Sequence, residues 1–84
     1  MKFKISKKKD YYQILGIKRT AGIEELKKAY RDVSREHHPD KHPNASESKK
    51  KEQEMIMKDI NEAYEVLKDP MKRWIYDSER RLIS

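Results

Sequence analysis

Apolar residues recur at helical spacing in two stretches of this chain. In the first, between residues 23 and 37, they fall within one arc of about 120° when each residue turns the helix by about 100°. In the second, between residues 49 and 68, they recur at positions i, i+4, i+7 and i+11. The two sets are Ile23, Leu26, Ala29, Tyr30, Val33 and His37, and then Ile56, Ile60, Ala63 and Leu67 flanked by Met57 and Tyr64. Each pattern predicts a long amphipathic helix with one buried face.

Residues that start or stop helices divide the chain further. Asp10 is a good N-cap, and Gly16 a good C-terminal stop, for a short helix between them. Gly22 is an acceptable cap for the first long helix, which has glutamates in its first turn. Pro39 disfavours helical geometry at the residue before it, so this helix should end at His38.

The second long helix follows a polar loop, residues 41–48, and is expected to run from about 49 to 68. Its N-cap is either Asn44 acting with Glu47 or one of the loop serines. Asp69-Pro70 then matches the N-cap and first position of a last short helix, which should end near Arg80.

Two long helices joined by one loop, each with a single apolar face, must pack against each other in antiparallel fashion. The predicted fold is therefore all-α, an antiparallel hairpin of two long helices with a short helix at each end. The tripeptide His38-Pro39-Asp40 lies at the exposed tip of this hairpin. The short helices should cover the seam with Tyr11, Ile14, Leu15, Trp74, Ile75 and Tyr76.

Charge is unevenly distributed along the 84 residues. The net charge is +6, and five lysines with no acidic residue lie in residues 1–9, which leaves 16 basic and 15 acidic groups in residues 10–84. We expect a flexible basic tail at 1–9, one domain at 10–78 and a C-terminal tail at 79–84. With 35% hydrophobic and 43% charged residues, the core should be thin and without a large ligand cavity.

Composition also excludes several kinds of chemistry. There is no cysteine, so disulfides, thiolate metal sites and cysteine nucleophiles are excluded. No stretch has the apolar run of a secretory signal or the length of a membrane span. The lack of cysteine and of a signal favours the cytoplasm as the compartment.

The histidines near the tip do not form an enzyme or metal site in the sequence. His37 and His38 point in different directions, and with His42 they lack the i, i+4 spacing of helical zinc ligands. No nucleophile or set of oxyanion donors accompanies His38 and Asp40, so we expect no catalysis, metal or cofactor. The Asp40 carboxylate suits a bidentate hydrogen bond from a partner arginine. The alternative is that the tripeptide is only a turn.

A basic stripe runs along the first long helix towards the tripeptide. Lys27, Arg31 and Arg35 lie at i, i+4 and i+8, with Lys28 just beyond them. Such a row suits an acidic partner, although charges on a helix are usually only a solvated face. Nucleic acid is the competing partner class, through the lysines of residues 1–9 and 49–51, but no aromatic platform or recognition helix supports it.

Five segments in this order resemble the J-domain, the module that defines the Hsp40 co-chaperones. The resemblance covers about residues 10–78. The matching segments are Asp10-Tyr11-Tyr12-Gln13-Ile14-Leu15-Gly16, Lys27-Lys28-Ala29-Tyr30-Arg31, His38-Pro39-Asp40-Lys41, Ile60-Asn61-Glu62-Ala63-Tyr64-Glu65-Val66-Leu67, and Asp69-Pro70 with Lys72-Arg73 and Tyr76-Asp77.

The resemblance implies a module that binds an Hsp70 chaperone in its ATP state and stimulates ATP hydrolysis by that partner, without being an enzyme itself. It implies no cofactor and a monomeric domain, here a fragment of a longer J-protein. The residues implied to contact Hsp70 are His38, Pro39, Asp40, Lys27, Lys28, Tyr30, Arg31, Arg35 and Lys58.

Three positions depart from the family pattern. Asp32 stands at a usually basic site and narrows the stripe, which should weaken Hsp70 binding. Met57 replaces a common phenylalanine with a less rigid side chain. His37 stands where an aromatic residue is common, and we expect it to be a partly buried packing residue.

Overall fold

The computed structural model describes residues 10–38, 41 and 43–83, with side chains up to residue 79. Four helices follow one another: α1 (Tyr11–Leu15), α2 (Ile23–His37), α3 (Glu47–Leu67) and α4 (Pro70–Ile83). These residues contain no strand, and the predicted all-α fold is confirmed. The predictions for residues 1–9, Pro39, Asp40 and His42 lie outside the described residues.

The short helix α1 begins and ends at the predicted caps. The Asp10 carboxylate accepts hydrogen bonds from the backbone N–H of Tyr12 and Gln13 at 3.1 and 3.3 Å. Gly16 has φ 68° and donates its N–H to the Gln13 carbonyl at 3.0 Å. A left-handed residue there ends the helix at little cost only because glycine has no Cβ.

The start of α3 lies two residues before the predicted one. The Ser46 hydroxyl accepts a hydrogen bond from the N–H of Lys49 at 3.2 Å, so the helix begins at Glu47. Ser46 is therefore the N-cap, which decides between the candidates that the sequence left open.

The start of α4 is the predicted one, but its end is not. The Asp69 carboxylate accepts from the N–H of Met71 and Lys72 at 2.9 and 3.3 Å, with Pro70 as the first helical residue. The helix continues to Ile83, so its predicted end near Arg80 was wrong. No glycine or proline follows Pro70 to stop it. The division into domain and tail at residue 79 stays a prediction, with α4 running through it.

The two long helices form the predicted antiparallel hairpin. Tyr30 of α2 stacks on Tyr64 of α3, and His37, the last residue of α2, contacts Gln53 nearer the start of α3. Later residues of α2 thus meet earlier residues of α3. The helix α3 is central, since α1, α2 and α4 all pack against it.

The core lies between α3 and the other three helices. Leu26 is 0% exposed, and Tyr76 of α4 is 1% exposed and stacked on Tyr11 at 4.5 Å. The buried cluster contains Tyr11, Tyr12, Leu15, Leu26, Ile60, Ala63, Leu67 and Tyr76. Tyr76 also accepts the N–H of Tyr11 at 2.9 Å, so it caps α1 as well as covering the seam.

Three apolar residues predicted to be buried are exposed instead. Ile23 is 44%, Trp74 66% and Ile75 37% exposed. Within the described part of the chain α2 and α4 do not pack against each other. Among the described residues, the side of α4 that carries Trp74 therefore has no helix packed over it, and Tyr76, two residues along, takes the buried position.

Arg73 joins α4 to the connector between α1 and α2. Its guanidinium donates to the carbonyls of Arg19 and Ala21 at 3.0 and 2.8 Å, and its Nε donates to the Tyr12 hydroxyl at 3.1 Å. That hydroxyl donates to Asp77 at 2.7 Å. Burial raises the pKa of Tyr12 to about 12, and donation to Asp77 adds to the rise.

Candidate docking surface

The end of α2 is set by the residue before the proline. His38 is the C-cap, with φ −65° and ψ 139°, which is the extended geometry expected before proline. Its carbonyl accepts the N–H of Lys41 at 2.9 Å, and its side chain is exposed. Of the tripeptide, His38 is described and lies at the exposed end of α2, while Pro39 and Asp40 lie outside the described residues.

The predicted basic stripe lies on the solvent side of α2. Its members Lys27, Lys28, Arg31 and Arg35 are all exposed, whereas Leu26 faces the core. His38 directly follows the last residue of this helix. We call the four exposed cations, Lys27, Lys28, Arg31 and Arg35, the basic face of α2.

Asp32 shortens the positive part of this face. Its carboxylate lies 3.4 Å from Lys28 Nζ, with the two side chains 56% and 73% exposed. An exposed i, i+4 pair contributes only about 0.3–0.5 kcal/mol to stability. The Asp32 carboxylate also neutralises the charge of Lys28 locally. This agrees with the expectation that Asp32 narrows the basic stripe.

Tyr30 is half-buried against α3. Its ring stacks on Tyr64 with centroids 4.1 Å apart and planes at 13°, and its hydroxyl donates to Asn61 at 2.9 Å. Tyr30 is thus less exposed than the cations of α2. Its predicted contact with a partner stays a prediction, and its observed role is to anchor α2 on α3.

Lys58 is exposed on α3 and lies three residues before Asn61. Residues three apart are neighbours on a helix surface. Because Asn61 contacts Tyr30, Lys58 falls on the edge of α3 next to α2. The structure therefore brings Lys58 to the same side of the hairpin as Tyr30.

A contact between His37 and Gln53, which sequence reasoning missed, supports the exposed end of α2. His37 Nδ1 lies 2.8 Å from Gln53 Oε1, and the Nδ1–H tautomer of His37 donates to that amide oxygen. His37 is half-buried, as predicted, and Gln53 is 8% exposed. Gln53 lies three residues before Ile56, so it continues the apolar stripe of α3 by one turn towards the N-terminus. That position was the signal in the sequence for its burial.

Two other features, a metal-binding cluster and a membrane-spanning helix, are absent from the described residues. Residues 10–38, 41 and 43–83 hold no cluster of three or more histidine, aspartate or glutamate side chains placed to bind a metal ion. Among the same residues no helix is both long and apolar enough to cross a membrane. The expected absence of a metal or cofactor stays a prediction.

Comparison with known proteins gives one consistent family. The model of the DnaJ domain matches residues 10–77. The chain is 46% identical over 82 residues to DnaJ homolog subfamily C member 7 from Homo sapiens, which covers 98% of this chain and 17% of that protein. It is 53% identical over 73 residues to chaperone protein DnaJ from Mycoplasmopsis pulmonis (87% and 18%), and 54% identical over 70 residues to that from Thermotoga maritima (83% and 18%).

These matches confirm the resemblance that the five segments indicate. The chain spans less than a fifth of the length of these relatives. The activities and partners of those full-length proteins are therefore not assigned to this chain by the matches.

Proposed function

This chain belongs to the DnaJ-domain family, and from that premise we propose that it binds an Hsp70 chaperone and stimulates ATP hydrolysis by that partner. The observation that supports the proposal most directly is the basic face of α2 leading to the exposed His38 at its end. The domain performs no chemistry itself. The nucleotide and the hydrolysis belong to the partner.

The basic face docks first in this proposal. Lys27, Arg31 and Arg35 meet an acidic surface on Hsp70, which orients the encounter and speeds association. The Asp40 carboxylate then accepts hydrogen bonds from a cation of the partner. Docking favours the hydrolysis-competent state of Hsp70 because it binds that state more tightly, so the activation is allosteric.

Contacts beneath the basic face hold it in one orientation. The stack of Tyr30 on Tyr64 fixes the rotation of α2, and the bond from His37 to Gln53 fastens its last turn. A surface that is ordered before binding loses less conformational entropy when the partner arrives. The two contacts therefore support affinity without touching the partner.

The test measures the ATPase rate of a purified Hsp70 with and without this domain. His38→Gln and Asp40→Asn should each bring the stimulated rate to baseline, while far-ultraviolet circular dichroism stays that of the parent chain. Lys50→Ala, an exposed lysine on the first turns of α3, is the matched control and should keep full stimulation. Stimulation that survives both tripeptide changes would show that the proposal is wrong.

A binding measurement tests the basic face separately. Lys27→Ala and Arg31→Ala should each weaken Hsp70 binding by about 1 kcal/mol, and added salt should weaken the parent chain further. Asp32→Arg should strengthen binding, because it removes the neutralising partner of Lys28. Equal affinity at low and high salt would contradict docking through this face.

A further inference from the structure

The basic face of α2 has two flanks, and the outer one is acidic. Since each residue turns the helix by about 100°, three exposed carboxylates lie roughly 100–140° round from Arg31 in one direction. The one cation among them is Lys28, whose Nζ lies 3.4 Å from the Asp32 carboxylate. The three carboxylates of this outer flank belong to Glu25, Asp32 and Glu36.

The other flank of the basic face is the seam with α3, and its charges are balanced. Tyr30 lies about 100° round from Arg31 in the opposite direction, and its ring packs on α3. On the α3 side of the seam, Asn61 shares one helical stripe with two cations and two carboxylates. One cation and one carboxylate of this stripe, Lys68 and Glu65, pair at 3.7 Å. The four charged residues are Lys58, Lys68, Glu54 and Glu65.

A partner that docks on the basic face covers one of these flanks as well. Specific protein interfaces involve roughly 20–30 residues a side, whereas the basic face has four cations. An acidic partner surface is repelled by the carboxylates of the outer flank, because like charges brought together in an interface are costly. The seam with α3 carries no such surplus, so the partner footprint extends over the seam.

One hydrogen bond crosses the seam within this footprint. The Tyr30 hydroxyl donates to Asn61 Oδ1 at 2.9 Å. Asn61 is exposed and Tyr30 half-buried, so water reaches the bond in the free domain and can replace either partner. A partner that covers the seam excludes this water, and a hydroxyl or amide left unpaired there is costly.

We propose that Asn61 is a further residue of the docking surface, and that Hsp70 covers its bond to Tyr30 when it binds. The inference rests on the proposed function and deepens it, since it assigns the α2–α3 seam and not the outer flank to the Hsp70 footprint. Tyr30 lies eight residues before His38, about 12 Å along the helix. Asn61 therefore acts on the affinity for Hsp70 and not on the activation step at the tripeptide.

Two variants that remove the bond from opposite sides test the proposal. Tyr30→Phe keeps the ring that stacks on Tyr64 but leaves the amide oxygen of Asn61 unpaired. Asn61→Leu keeps the size of the side chain but leaves the Tyr30 hydroxyl unpaired. Each should weaken binding to purified Hsp70 in the presence of ATP by about tenfold. The double variant leaves neither group unpaired, so its affinity should return to within about twofold of the parent chain.

Two further measurements separate this role from a structural one. The concentration of domain that gives half-maximal ATPase stimulation should rise about tenfold in each single variant, with the maximal rate unchanged. The urea midpoint of unfolding should be the same for all four chains, because the bond is open to water in the free domain. Gln13→Leu, which replaces an exposed amide on α1, is the matched control and should bind as the parent chain does.

Several results would overturn the proposal. Parent-like affinity in both single variants would show that the partner does not cover the seam. A double variant that binds no better than the single variants would show that the lost affinity does not come from an unpaired group. A lower urea midpoint in the single variants would make the bond a support of the fold only.

The two proposals fail separately. Stimulation by the parent chain that is lost in His38→Gln supports the proposed function whatever the Asn61 variants do. Parent-like binding by Tyr30→Phe and Asn61→Leu overturns the role of Asn61 alone. A parent chain that does not bind Hsp70 overturns both.

Discussion

The hydrogen bond between His37 and Gln53 should stabilise the end of α2 by an amount that depends on which partner is removed. The two atoms are 2.8 Å apart, and Gln53 is 8% exposed whereas the His37 ring is half-buried. Gln53→Met keeps the length of the side chain but removes the acceptor. His37→Leu keeps an apolar contact but removes the donor.

The loss of unfolding free energy depends on how deeply the remaining partner is buried. Leaving a buried polar group without a partner costs about 1–3 kcal/mol, and a group that reaches water costs less. His37 reaches water after Gln53→Met, so that change should cost about 1 kcal/mol. The amide of Gln53 stays buried after His37→Leu, so that change should cost about 2–3 kcal/mol. The double variant leaves neither partner buried and unpaired, so it should cost about 1 kcal/mol, as Gln53→Met alone does.

Urea unfolding at neutral pH, followed by far-ultraviolet circular dichroism, measures all four chains. Glu54→Gln, an exposed neighbour of Gln53 on α3, is the control and should change stability by less than about 0.5 kcal/mol. The reasoning is refuted if His37→Leu costs no more than Gln53→Met. It is equally refuted if the cost of the double variant is the sum of the two single costs.

Two further predictions concern the core. Because burial raises the pKa of Tyr12 to about 12, and that of Tyr11 as well, from the ordinary 10.0, both are protonated in the folded and unfolded chain below pH 10. Above pH 10 the unfolded chain ionises first, so stability should fall as the pH rises towards 12; urea midpoints that stay level over this range would contradict it. Leu26→Ala, at a site that is 0% exposed, should cost about 3–5 kcal/mol by thermal or urea unfolding, against less than about 0.5 kcal/mol for the exposed Met55→Ala.

Part of the docking surface was predictable and part was not. Placing Lys27, Arg31 and Arg35 on one solvent-facing row required only the helical repeat, and the structure agrees on their exposure. Tyr30 occupies the same helix, but its direction depends on Tyr64 and Asn61, over thirty residues away. The stripe of α3 pointed to Gln53, but its burial was missed because a buried amide needs a hydrogen-bond partner, and that partner, His37, lies on another helix.

The sequence by itself determined the helices, most of their ends and the family. Caps bond to groups within three or four residues, so Asp10, Gly16 and Asp69 set the helix ends whatever the helix packs against. Tertiary structure alone decided which of the predicted apolar residues stay exposed. Tyr76 is covered because it stacks on Tyr11, 65 positions away, while Trp74 on the same helix is left open where α2 and α4 do not meet. Periodicity shows that a helix has an apolar side, but the neighbouring helices determine how much of that side they cover.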